Sequence, residues 1–138
     1  MRDGEIIPGK RIGDIELGIS REALLDRIGY QYSELEVGFG SLIESENVKY
    51  WFGEDGKLRQ IGVGEGFVEK FQDKIGIGST LQDIQNCGEE FVDNEDISCT
   101  YGIKGIEGFC FELKDVESYE EEWDELTAPI EYMYVFAE

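Results

Sequence analysis

Gly18-Ile19-Ser20-Arg21-Glu22-Ala23-Leu24 and, further along, Gly78-Ser79-Thr80-Leu81-Gln82-Asp83-Ile84 read as two copies of one helix start, and the fold follows from that pairing. In each copy a hydroxyl residue, Ser20 or Thr80, stands where its oxygen can accept from the unpaired amides of a first helical turn. Gly29 closes the first segment and Gly88 the second, each able to take the left-handed conformation that ends a helix. Between these caps Ala23, Leu24, Leu25 and Ile28 recur at roughly helical spacing, as do Leu81, Ile84 and Cys87. Two helices are expected, each with an apolar stripe to bury.

Short β-branched and aromatic runs follow each helix. After the first come Ser41-Leu42-Ile43, then residues 48–52 (Val-Lys-Tyr-Trp-Phe), then residues 58–63 (Leu-Arg-Gln-Ile-Gly-Val). Glu54-Asp55-Gly56-Lys57 joins the last two as a hairpin turn, its Asp-Gly pair suited to positive φ. After the second helix come residues 97–101 and 109–113, linked by a glycine-rich stretch, and a last strand over residues 130–136 follows Pro129. Strands that succeed one another through short turns pair antiparallel. The expected fold is α+β, a mainly antiparallel sheet from two helix-then-strands repeats with the helices packed on one face. The chain is long enough for one core and is read as a single domain over residues 1–138. Pseudo-repeats cover approximately 8–66 and 70–114, and an acidic segment and strand fill 115–138.

Charge is the most informative part of the composition. Thirty-two Asp and Glu against twelve Lys and Arg leave a net charge of −20, while 41% hydrophobic residues argue against global disorder. Such a surface repels nucleic-acid phosphate and anionic membrane, and attracts a basic protein. No apolar run approaches the ~20 residues of a membrane span, and Met1 to Glu5 lead into no signal peptide, so a cytoplasmic location is expected. Cys87, Cys99 and Cys110 follow no metal or redox spacing and read as reduced, mostly buried thiols.

The run from Leu17 to Gly29, followed by Tyr50-Trp51-Phe52-Gly53-Glu54-Asp55-Gly56-Lys57-Leu58-Arg59-Gln60-Ile61, resembles the helix-hairpin module of the SmpA/BamE small lipoproteins. Duplicated, it is similar to the tandem module of the β-lactamase inhibitory protein family. The resemblance implies a module without chemistry of its own, whose sheet face or loops hold a partner protein. The start of this chain lacks the lipidation cysteine of the lipoproteins. In general character, small and acidic, the chain also resembles the immunity proteins of bacterial toxins.

Catalysis finds little equipment. The chain has no histidine, which removes Ser-His, Cys-His and most zinc arrangements. Gly62-Val63-Gly64-Glu65-Gly66 lacks the Lys-Ser/Thr ending of a phosphate loop and reads as a turn or bulge. Asp93-Asn94-Glu95-Asp96 lacks the spacing of a calcium loop. Neither a cofactor, a metal nor an enzymatic activity is expected, although a carboxylate pair acting on a sugar stays open as the third reading.

The sharpest local feature is acidic. Seven of the eleven residues from Asp115 to Glu125 are carboxylates, with Tyr119 and Trp123 among them. On a helix Val116, Tyr119, Trp123 and Leu126 would form one stripe, which by itself fits an ordinary packed segment with a solvated face. As a recognition patch, Glu117, Tyr119, Glu120, Glu121, Glu122, Trp123, Asp124 and Glu125 would steer and anchor a cationic partner. The function expected is an immunity-type inhibitor of a basic toxin, with a nuclease domain as the partner best matched in charge. The rival is a housekeeping interaction or assembly module with no toxin, bound through an apolar sheet face.

Overall fold

The computed structural model describes residues 5–29, 31–37, 40–45, 48–64, 66–67, 70–71, 74–93, 100–113 and 128–136. It begins with three two-residue strands, β1 (Ile6–Ile7), β2 (Arg11–Ile12) and β3 (Ile15–Glu16), which pair antiparallel. Helix α1 (Arg21–Ile28) follows, then β4 (Ser33–Val37), β5 (Gly40–Ser45), β6 (Val48–Phe52) and β7 (Leu58–Val63). Helix α2 (Leu81–Asn86) is followed in turn by β8 (Phe91–Asp93), β9 (Thr100–Ile103), β10 (Phe109–Leu113) and β11 (Ile130–Phe136).

Both helix starts are capped as their sequences dictate. Ser20 Oγ accepts from the Ala23 amide at 3.2 Å, and Thr80 and Asp83 close a reciprocal capping box. Gly29 and Gly88 each hold φ at 87°. Around Gly88 the Glu89 amide donates to the Ile84 carbonyl and the Gly88 amide to Gln85, which satisfies two of the helix's last carbonyls. One expectation fails here: Cys87 is exposed at the end of α2, because the turn into Gly88 carries it off the buried stripe of Leu81 and Ile84.

Strands β4 to β11 form one eight-stranded sheet in the order β4-β5-β6-β7-β11-β10-β9-β8, with antiparallel pairing throughout. The fold is thus α+β and mainly antiparallel. Each helix is followed by a four-strand meander, and the last strands of the two meanders, β7 and β11, meet at the centre. The small sheet of β1 to β3 was not anticipated from sequence, and neither were β4 and β8, the two edges of the large sheet.

Alternation along the strands separates two faces. Ile43, Tyr50, Ile61, Val135 and Phe109 are direct cross-strand partners in one row, and all are buried. Val63, Met133, Phe111 and Tyr101 form the next row on the same face, equally buried. Leu24 of α1, Leu81 and Ile84 of α2, and Ile6, Ile12 and Ile15 of the small sheet join these rows in one core cluster. Each such side chain removed from water stabilises the fold by about 1.5–3 kcal/mol. No helix among the described residues is long and apolar enough to cross a membrane.

Candidate functional site

The face of the sheet turned away from this core carries the molecule's least ordinary surface. One row across it runs Leu35, Leu42, Trp51, Gln60 and Phe136. A second runs Ser33, Glu44, Lys49, Gly62, Tyr134 and Cys110, and in a third Glu112 pairs with Tyr132. Leu35 is 64% exposed on this face, while Trp51, Tyr132 and Tyr134 are half-buried.

Two glycines explain how three large aromatic rings fit side by side. A Cβ on Gly62 would stand 2.8 Å from two carbons of the Tyr134 ring and 2.9 Å from Trp51, and a Cβ on Gly64 would stand 2.7 Å from Tyr132. The rings therefore lie over bare backbone, packed on the sheet rather than standing off it. Trp51 and Tyr134 have centroids 5.8 Å apart, and Tyr132 and Tyr134 are stacked at 6.2 Å. Gly62-Val63-Gly64 is then no phosphate loop but the end of a strand whose glycines seat aromatics.

Carboxylates border this platform. The register of β10 and β11 shifts between Glu112 and Leu113, so that Tyr132 and Ile130 take consecutive partners and Glu131 is the extra residue of a bulge. Glu131 acts on Glu112 strongly enough to be felt: burial first, then the Glu131 charge, raise the Glu112 carboxyl above its ordinary value, and Lys49 opposes them. Burial, aided by the Glu112 charge, pushes the Cys110 thiol up to about 11. Burial and the same carboxylate hold the Tyr134 phenol well above its usual range. Thiol and phenol are both neutral at pH 7, so the charges of the platform are those of Glu44, Glu112, Glu131 and Lys49. Lys49 lies 3.9 Å from Glu44 and 5.0 Å from the Tyr132 centroid, a cation already seated on a ring face. Neither Glu112 nor Glu131 has an ion pair among the described residues.

A groove of about 600 Å³ lies elsewhere, among Arg21, Glu34, Glu36, Ser41, Phe52 and Glu54. Its one cation is engaged: Arg21 donates to both oxygens of Glu34, at 3.0 and 2.6 Å, which holds that carboxyl below its ordinary value. Ion pairs elsewhere join Arg11 to Glu5, Arg27 to Asp14, Arg59 to Asp55 and Lys104 to Glu90. Pairing within the chain thus occupies scarce cations and leaves most carboxylates uncompensated. Among the described residues no group of His, Cys, Asp and Glu is arranged to hold a metal.

The patch expected from sequence, Glu117, Tyr119, Glu120, Glu121, Glu122, Trp123, Asp124 and Glu125, lies outside the described residues, as do Cys99 and residues 94–96. None of the platform residues was singled out from sequence as a site, although Trp51, Gly62 and Tyr134 were each quoted within strands. The signal available was glycine at alternate positions of one strand, with aromatics at alternate positions of another; that those strands are neighbours was not visible. No family model matches the chain, and neither any curated protein nor any solved structure matches it, so the fold and this outer face are the grounds on which a function is read.

Proposed function

We propose that the chain is an acidic protein-binding module whose outer sheet face receives a basic partner, and that it acts as an immunity-type inhibitor of a basic toxin. One observation carries the reading: an aromatic platform of Trp51, Tyr132 and Tyr134, bordered by Glu44, Glu112 and Glu131, on a chain of charge −20. Aromatic side chains seated on rigid backbone are the residue types that dominate binding energy, and surplus carboxylates steer a cationic partner toward them. A toxin that cleaves nucleic acid needs a positive surface to hold phosphate, which is the complement of this one.

We also read the chain as two helix-plus-meander halves, with both helices on the core side, so that joining β7 to β11 builds a face wider than either half would offer. The rival assembly-module reading rests on the apolar row of Leu35, Leu42 and Trp51, which would bind with little regard to salt.

Calorimetric titration against the product of the adjacent gene tests the proposal. Trp51→Ala is expected to weaken that complex by about 30-fold or more, the loss typical of a central aromatic anchor. Full affinity in the folded variant would place the interface elsewhere and remove this reading of the face.

A further inference from the structure

Resting on that reading of the outer face, we propose that it selects arginine: a guanidinium of the partner covers Tyr134, the middle ring of the platform, and directs its N–H groups at Glu112 and Glu131.

The charge balance of the face asks for such a group. Three carboxylates border the rings and one lysine answers them; Lys49 is spent on Glu44 and on the face of Tyr132. Glu112 and Glu131 are left as neighbours of like charge, on adjacent strands, with no ion pair to either among the described residues, and Lys49 offsets their repulsion only in part. Two carboxylates crowded beside a partly desolvated ring repel each other until a cation arrives, so a cation gains there twice, from attraction and from relief of that repulsion. The other groups facing this corner, Cys110 and Tyr134, stay neutral and do not compete.

Shape then distinguishes the two basic side chains. A guanidinium is planar, stacks on aromatic faces, and presents N–H donors in a fork that can serve two carboxylates at once. An ammonium is a compact and strongly hydrated point charge, which Lys49 already places on the neighbouring ring. The platform thus offers an extended aromatic surface with paired acceptors at its border, the complement of a flat cation.

The probes are hexa-arginine and hexa-lysine peptides, titrated into the full chain while the Trp51 indole signal is followed by NMR, with Trp123→Phe used to assign it. Hexa-arginine is expected to bind about three- to tenfold more tightly than hexa-lysine. The double variant Glu112→Gln with Glu131→Gln is expected to lose about tenfold for arginine, whereas Glu22→Gln with Asp26→Asn, exposed on α1, changes it less than about twofold. Equal affinity of the two peptides, with Trp51 moving in both cases, overturns arginine selection and leaves the outer face as the binding surface. Peptide binding that leaves Trp51 unmoved overturns that surface as well. Equal losses from the two double variants would reduce the effect to net charge, and saturation of Trp51 by a neutral oligosaccharide in place of either peptide would reassign the platform to sugars; each result overturns the proposal.

Discussion

Glu112 and Gly62 show how much single residues decide on the outer face. Glu112 has a raised carboxyl, so between the ordinary carboxyl value and its own the folded chain keeps a proton that the unfolded chain has released. Its charge therefore opposes folding at neutral pH, and that opposition is relieved as pH falls through the window. Glu34 and Asp55, held low by Arg21 and by the Lys57 amide respectively, act in reverse: their contribution is present above the ordinary value and lost as pH falls through the lowered one. Glu112→Gln is thus expected to raise the midpoint of urea unfolding at pH 7 and to leave it unchanged at a pH below the ordinary carboxyl value; an unchanged midpoint at pH 7 would contradict the crowding. Gly62→Ala is expected to cost about 1–3 kcal/mol, because the new methyl meets Tyr134 and Trp51 closer than 3 Å. A changed Trp51 fluorescence should accompany the loss, and an unperturbed spectrum would show that the rings do not rest on Gly62.

At the scale of elements, the sequence was most legible where order is local. The bounds of β6, β7, β10 and β11 coincide with the runs read from residue type, Ser20, Thr80 and Gly29 cap the helices as expected, and Gly88 at positive φ follows Cys87, the last cap of α2. The Asp55-Gly56 turn also formed, with Gly56 at φ 76° and Asp55 bonded to the Lys57 amide at 3.1 Å. Edge strands escaped because an edge strand needs little apolar pattern: Leu35 stands between Glu34 and Glu36, and charges there discourage pairing with another sheet. Within the central pair, Met133 is wholly buried where β11 meets both β7 and β10. Met133→Ala should cost about 2–5 kcal/mol in chemical unfolding. A loss below about 1 kcal/mol would mean that the two meanders do not share one packed core.

The whole molecule is governed by its charge. Six ion pairs form among the described residues, three of them between two exposed side chains, and such exposed pairs contribute little to stability. The remaining surplus of carboxylates acts at a distance. Association with a basic partner should slow by about tenfold or more between about 0.05 and 0.5 M salt, read as an on-rate by stopped flow, while dissociation changes much less. An on-rate indifferent to salt would favour the rival assembly-module reading, in which Leu35, Leu42 and Trp51 bind without steering.

Composition and short-range pattern sufficed for the two capped helices, the strands flanking the hairpin, the α+β class, the missing histidine and the acidic excess, because caps, turns and alternation depend on residues a few positions apart. The choice of β7 and β11 as central partners was made only by the folded chain, and with it the meeting of Trp51, Gly62, Tyr134 and Glu112 on one face. Register between strands far apart in sequence follows from a shared core and a bulge at Glu131, and neither leaves a mark within any one segment.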